Sequence, residues 1–151
     1  LYVGGTGTAN KLDDYEEGNV DGLGFETTNS DINVTLDRNR GKYVKIGKQV
    51  NVTGVLRTSA VTSKGTGSLL VTGLPFTVDD TYQRGEATGV FNGYYRWGNS
   101  PALCVAIDNT TTLELRRNSG SSNTTGTPSS DLWDLSYPSN WCTFTITYYT
   151  T

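Results

Sequence analysis

Cys142-Thr143-Phe144-Thr145-Ile146-Thr147-Tyr148 is the stretch whose reading decides the fold. Apolar side chains and threonines alternate through it with a period of two, the signature of a strand with one buried face and one wet face. Cys142, Phe144, Ile146 and Tyr148 are expected inward and the threonines outward. The same habit recurs upstream. Ile32, Val34 and Leu36 alternate with Asn33 and Thr35, and Tyr43-Val44-Lys45-Ile46 is closed by Gly47. Val50 and Val52 lead on to Val55 and Leu56, and the alternation breaks at Gly54, where a bulge is expected. Ser68 to Thr72 forms a further strand, ended by Gly73 and the Leu74-Pro75-Phe76 corner, and Ala87 to Tyr95 carries Val90 among small residues. Leu103, Val105 and Ile107, then Asp108-Asn109, then Leu113 and Leu115 read as a hairpin. Asn118 to Ser130 holds no apolar side chain and is expected to be a surface loop. About eight short strands without a 3.6-residue period predict an all-β, antiparallel sandwich of jelly-roll-like form, or a barrel.

Composition narrows the chemistry. A length of 151 residues suits one domain. Histidine is absent, so no imidazole base, His-ligated metal or serine–histidine triad arises within the chain. Net charge is −3, which argues against a nucleic-acid surface, and no apolar run approaches the ~20 residues of a membrane span. Residue 1 opens no signal peptide. Residues 1–18 read as a Gly-rich, then acidic, lead-in from an upstream region, with the folded domain over 19–151. Asp13, Asp14, Glu16 and Glu17 lack calcium-loop spacing and are read as a solvated linker rather than a cation site. Cys104 and Cys142 sit in apolar strands and are expected to be buried, reduced and unbonded to each other. No cofactor or metal is called for.

Three blocks carry a resemblance. Lys11-Leu12-Asp13-Asp14-Tyr15-Glu16-Glu17-Gly18, then Gly41-Lys42-Tyr43-Val44-Lys45-Ile46-Gly47, then Thr72-Gly73-Leu74-Pro75-Phe76 stand in that order, with a closing Ile146-Thr147-Tyr148-Tyr149-Thr150. Together they resemble C-terminal modules of tail-fibre and related virion fibre or spike proteins of tailed bacteriophages, notably marine and cyanobacterial ones. The chain departs from that pattern after Gly18, where it reads Asn19-Val20-Asp21-Gly22 instead of a Thr-aromatic-Thr-Pro segment. The resemblance implies a β-sandwich knob, commonly homotrimeric, on a virion assembled in the host cytoplasm. Its implied partners are two further copies of itself, other fibre or tail proteins, and a host surface glycan or protein.

Aromatic faces stack on sugar C–H surfaces while neighbouring polar groups hydrogen-bond hydroxyls, so Tyr94, Tyr95, Arg96 and Trp97 are the first glycan-site candidates. Tyr82 with Arg84, and Trp133 with Tyr137, are the others. Tyr43, Ile46, Leu74, Phe76 and Trp141 are assigned to packing. Asp79, Asp80, Glu86, Asp108 and Glu114 are the carboxylates from which a glycosidase pair would be drawn, but all sit at turns or strand exteriors. A non-enzymatic adhesion knob is therefore the leading expectation. A purely structural module that trimerises, caps a fibre or decorates a capsid comes second, and a polysaccharide depolymerase third.

Overall fold

The computed structural model describes residues 14–80, 87–95, 97–118, 124–132 and 139–151. Strands β1 (Tyr15–Asp21), β2 (Gly24–Thr27), β3 (Asn33–Ile46), β4 (Gln49–Ser63) and β5 (Leu69–Thr72) make up the first half. Strands β6 (Thr88–Tyr95), β7 (Leu103–Ile107), β8 (Thr112–Asn118), β9 (Thr124–Gly126) and β10 (Ser139–Tyr149) make up the second, with one 3-10 turn at Ser129–Asp131. Every pairing is antiparallel, in the order β1-β3-β4-β10-β6-β7-β8-β5-β2, with β9 added to β8. The fold is all-β, as the alternation demands.

The connection between β1 and β2 gives the sheet its shape. These strands end the pairing path on opposite sides, yet only Gly22 and Leu23 separate them. Three steps of extended chain reach about 10 Å, so the sheet is rolled until its two ends meet. Leu23 is buried at that seam. The core inside the roll holds Val50, Val52 and Leu56 from β4, Cys142, Phe144, Ile146 and Tyr148 from β10, and Leu113 and Leu115 from β8. Both cysteines are free and buried, and the inward set on β10 is the one its alternation specifies. Desolvation pushes the Cys104 thiol up to about 12 and Cys142 higher still, so neither forms a thiolate at neutral pH.

Several local readings change. Asn33–Leu36 and Tyr43–Ile46 are parts of one long strand, β3, which folds back at Gly47-Lys48 onto the similarly long β4. Gly54 is not bulged: it stands in register opposite Gly41 on one side and Phe144 on the other. Its missing side chain has another use. A Cβ there would overlap the Phe144 ring and lie 2.9 Å from Leu23 Cδ1, and a Cβ on Gly41 would strike the Thr53 carbonyl. Glycine at both positions lets the sheet curl tightly with Phe144 seated over its backbone. Tyr15–Gly18 belong to β1, so the sheet begins inside the stretch whose composition reads as lead-in; residues 1–13 lie outside the described residues. Ile46, assigned to packing, is 48% exposed, because it alternates with half-buried Tyr43 and Lys45 onto the opposite face.

The polar run after Asn118 is partly interior. Thr127, Ser129 and Asp131 are buried. Their backbone is drawn into the sheet: the Thr127 amide donates to the Leu115 carbonyl at 2.8 Å, and the Leu69 amide donates to the Thr127 carbonyl at 2.8 Å. Arg117 reaches Asp131 at 2.6 Å and satisfies its charge. Hydrogen bonding, not hydrophobicity, places this segment inside.

Candidate functional site

Of the first-choice aromatic segment, Trp97 is the member whose side chain is described. It is half-buried, with its ring edge-on to Phe25 at 6.1 Å and to Phe91 at 6.0 Å, and its Nε1 donates to the Trp141 carbonyl at 3.3 Å. That is the position of a packing residue at the rim of the core. Tyr94 and Tyr95 end β6. Arg96, Tyr82, Arg84, Trp133 and Tyr137 lie outside the described residues.

The face that gathers chemistry is the outer surface of β1, β3, β4 and β10. Two irregularities create it, both beside the same point of β4. On β3, Leu36 pairs with Thr58 and Arg38 with Arg57, so Asp37 is an extra residue. On β10, Ser139 pairs with Thr58 and Cys142 with Leu56, which also leaves one residue over. A bulge re-aims the side chains that follow it. Leu36 packs toward the core, whereas Arg38, two residues on, turns outward beside Arg57. Asn140 takes a φ of 51° and buries its amide, whose Nδ2 donates to Thr58 Oγ1 at 3.0 Å, while Trp141 faces out.

Arg38, Arg57 and Trp141 thereby meet. The guanidinium carbon of Arg38 lies 5.7 Å, and that of Arg57 5.3 Å, from the centre of the Trp141 ring, within cation–π range. Trp141 thus lies partly buried on the outer face, under the two guanidiniums, rather than in the core. Arg57 donates from Nε to Asp37 Oδ1 at 2.7 Å and from Nη2 to Oδ2, a forked pair. Those hydrogen bonds, with the charges of Arg57 and Arg38, hold the Asp37 carboxyl below its ordinary value. Arg38 Nε is buried and has no acceptor among the described residues.

A cleft of about 500 Å³ opens here, lined by Asp21, Asp37, Arg38, Arg40 and Arg57. Through Asp21 and Arg40 it runs on into a groove of about 680 Å³ floored by Thr53, Thr143 and Thr145 and walled by Asn19 and Lys42. Lower on the same face Tyr15, Val44, Ile46 and Tyr149 are exposed together, and Tyr15 pairs with Ile46. The signal for the cationic row was present in the chain: Arg38, Arg40 and Lys42 alternate along one strand and so share a face.

Of the carboxylates considered for glycosidic cleavage, Asp79, Asp80 and Asp108 gather in one region and Glu114 stands apart. Glu114 is buried and bonded by Arg116 at 3.0 Å, and Asp80 accepts from Asn109 at 3.4 Å. Asp79 and Asp108 line a small cavity of about 130 Å³ beside Tyr148, and Glu86 lies outside the described residues. The Asp31 and Asp37 carboxyls both titrate below their ordinary values, held down by hydrogen bonds from Thr66 and Arg57 respectively. Among the described residues no group of three metal-binding side chains occurs. No family model, curated protein or solved structure matches the chain.

Proposed function

We propose that this chain is a non-enzymatic adhesion module, the knob of a bacteriophage virion fibre or spike, and that it engages a host surface glycan through the outer face of β1, β3, β4 and β10. One observation carries the reading. An open groove crosses the strands and presents threonine hydroxyls, an amide and charged groups side by side, and it adjoins the cleft lined by Arg38 and Arg57, whose guanidiniums pack on Trp141. Sugars are recognised by such rows of hydroxyl partners set beside charged groups. Placement on strands keeps the groups fixed, so little ordering entropy is lost when a ligand binds. The fibre-module resemblance points the same way.

A second reading has its own support. Tyr15, Val44, Ile46 and Tyr149 form an exposed apolar cluster of the kind that marks an assembly face. A structural trimerisation or capping module would use it, and a trimeric adhesin would use both surfaces. A microarray of bacterial surface polysaccharides separates the readings. Specific binding that falls on Trp141→Ala supports adhesion, whereas silence of the wild type across the array supports a structural module. Release of reducing ends from any bound polysaccharide would instead establish a depolymerase.

A further inference from the structure

The cleft at the head of the groove has an unbalanced charge. Three arginines, Arg38, Arg40 and Arg57, line it against two aspartates, Asp21 and Asp37, on a chain whose net charge is −3. Asp37 is committed to Arg57 through the forked bond. Among the described residues Arg38 has no carboxylate of its own and its buried Nε has no acceptor, and Arg40 stands exposed. A buried donor left unpaired is costly, and in native proteins such a group calls for an explanation. Two guanidiniums packed against a single indole repel each other, and one internal carboxylate cancels only half of their charge. An external oxyanion in the cleft that Arg38 and Arg40 line would supply the missing charge.

We infer that the cleft binds the acidic group of an anionic saccharide, with Arg38 and Arg40 as its donors and Trp141 holding Arg38 in place. This rests on the adhesion reading and names its ligand class. The guanidinium fork matches a carboxylate bidentately and also accepts a sulfate ester. The adjoining threonines and Asn19 take the hydroxyls of the following sugar units, which an acidic peptide does not offer.

Calorimetry with alginate oligomers, dextran sulfate, neutral dextran and poly-glutamate tests it at ~0.05 and ~0.3 M salt. Alginate or dextran sulfate is expected to bind, more weakly at the higher salt, and the tighter of the two tells whether carboxylate or sulfate is read. Arg38→Gln and Arg40→Gln are each expected to weaken that binding about tenfold, the equivalent of one charged hydrogen bond, and Arg38→Lys to recover only part of it. Arg40→Gln removes an exposed side chain, so its circular dichroism should match the wild type and keep the test valid if Arg38→Gln unfolds. Unchanged affinity in Arg40→Gln and Arg38→Lys overturns the inference. Neutral dextran bound as tightly as the acidic polymers also overturns it while leaving the adhesion reading standing. Equal affinity for poly-glutamate removes the saccharide from the assignment, and silence toward every saccharide, neutral ones included, removes both readings.

Discussion

Strands β4 and β10 run side by side along their whole pairing, yet their two ends are built on different principles. From Val50 to Leu56 against Cys142 to Tyr148 the register is unbroken, and inward residues alternate strictly with exposed ones. At Arg57–Thr58 and Asn140–Trp141 the register slips, a polar amide is buried and an indole is turned out. The regular end is held by apolar burial, which any well-packed set of side chains supplies. At the bulged end, specific hydrogen bonds and ion pairs hold charged groups close together on the surface. Stability is thus held at the regular end of these strands, and the recognition we propose falls at their bulged end.

The contrast is tested first where it should be largest. Phe144→Ala empties the place over Gly54 and is expected to cost about 3–5 kcal/mol in urea unfolding. A loss under ~1 kcal/mol would mean that the regular end does not dominate stability. Gly54→Ala probes the same spot from the other side, forcing a methyl into the Phe144 ring, with an expected loss of about 1–3 kcal/mol. At the bulged end, Asn140→Ala should be worse than Asn140→Gly by up to about 1 kcal/mol. Both lose the bond to Thr58, but only alanine also strains the backbone at φ 51°. Equal losses would show that the left-handed turn is not what fixes asparagine there.

The smallest effect is electrostatic. The Asp37 carboxyl titrates lower in the folded chain than when unfolded, because Arg57 hydrogen-bonds its ionised form. Its contribution is therefore complete above the ordinary carboxylate pKa and is lost as pH falls through the lowered folded value. Asp37→Asn should be less stable than wild type by no more than about 1 kcal/mol at pH 7, as suits a partly exposed pair. The two proteins should converge in acid, and a gap that widened below pH ~4 would contradict the assigned sign.

The hairpin of β7 and β8 and the inward set of β10 were legible because period-two alternation is a property of a single strand. Leu103, Val105 and Ile107 needed no knowledge of their partners to be assigned to a strand. Ile46 and Trp141 were misplaced for the complementary reason. Hydrophobicity says that a side chain can be buried, but the parity of its strand and the presence of a bulge decide whether it is. Thr127 and Ser129 failed in the other direction, since polar residues enter the interior when the backbone on either side offers hydrogen bonds.

The sequence by itself determined that the chain would be all-β, because its alternation has no helical reading, and that Cys142, Phe144, Ile146 and Tyr148 would share one buried face. Only the tertiary structure decided that Arg38, Arg57 and Trp141 would meet. They come from three strands far apart in the chain, and their meeting depends on pairing register and on one surplus residue in each of β3 and β10. Register is fixed by the fit of a strand to its neighbours and by the curl that Gly41 and Gly54 permit, so no pattern within one strand encodes it.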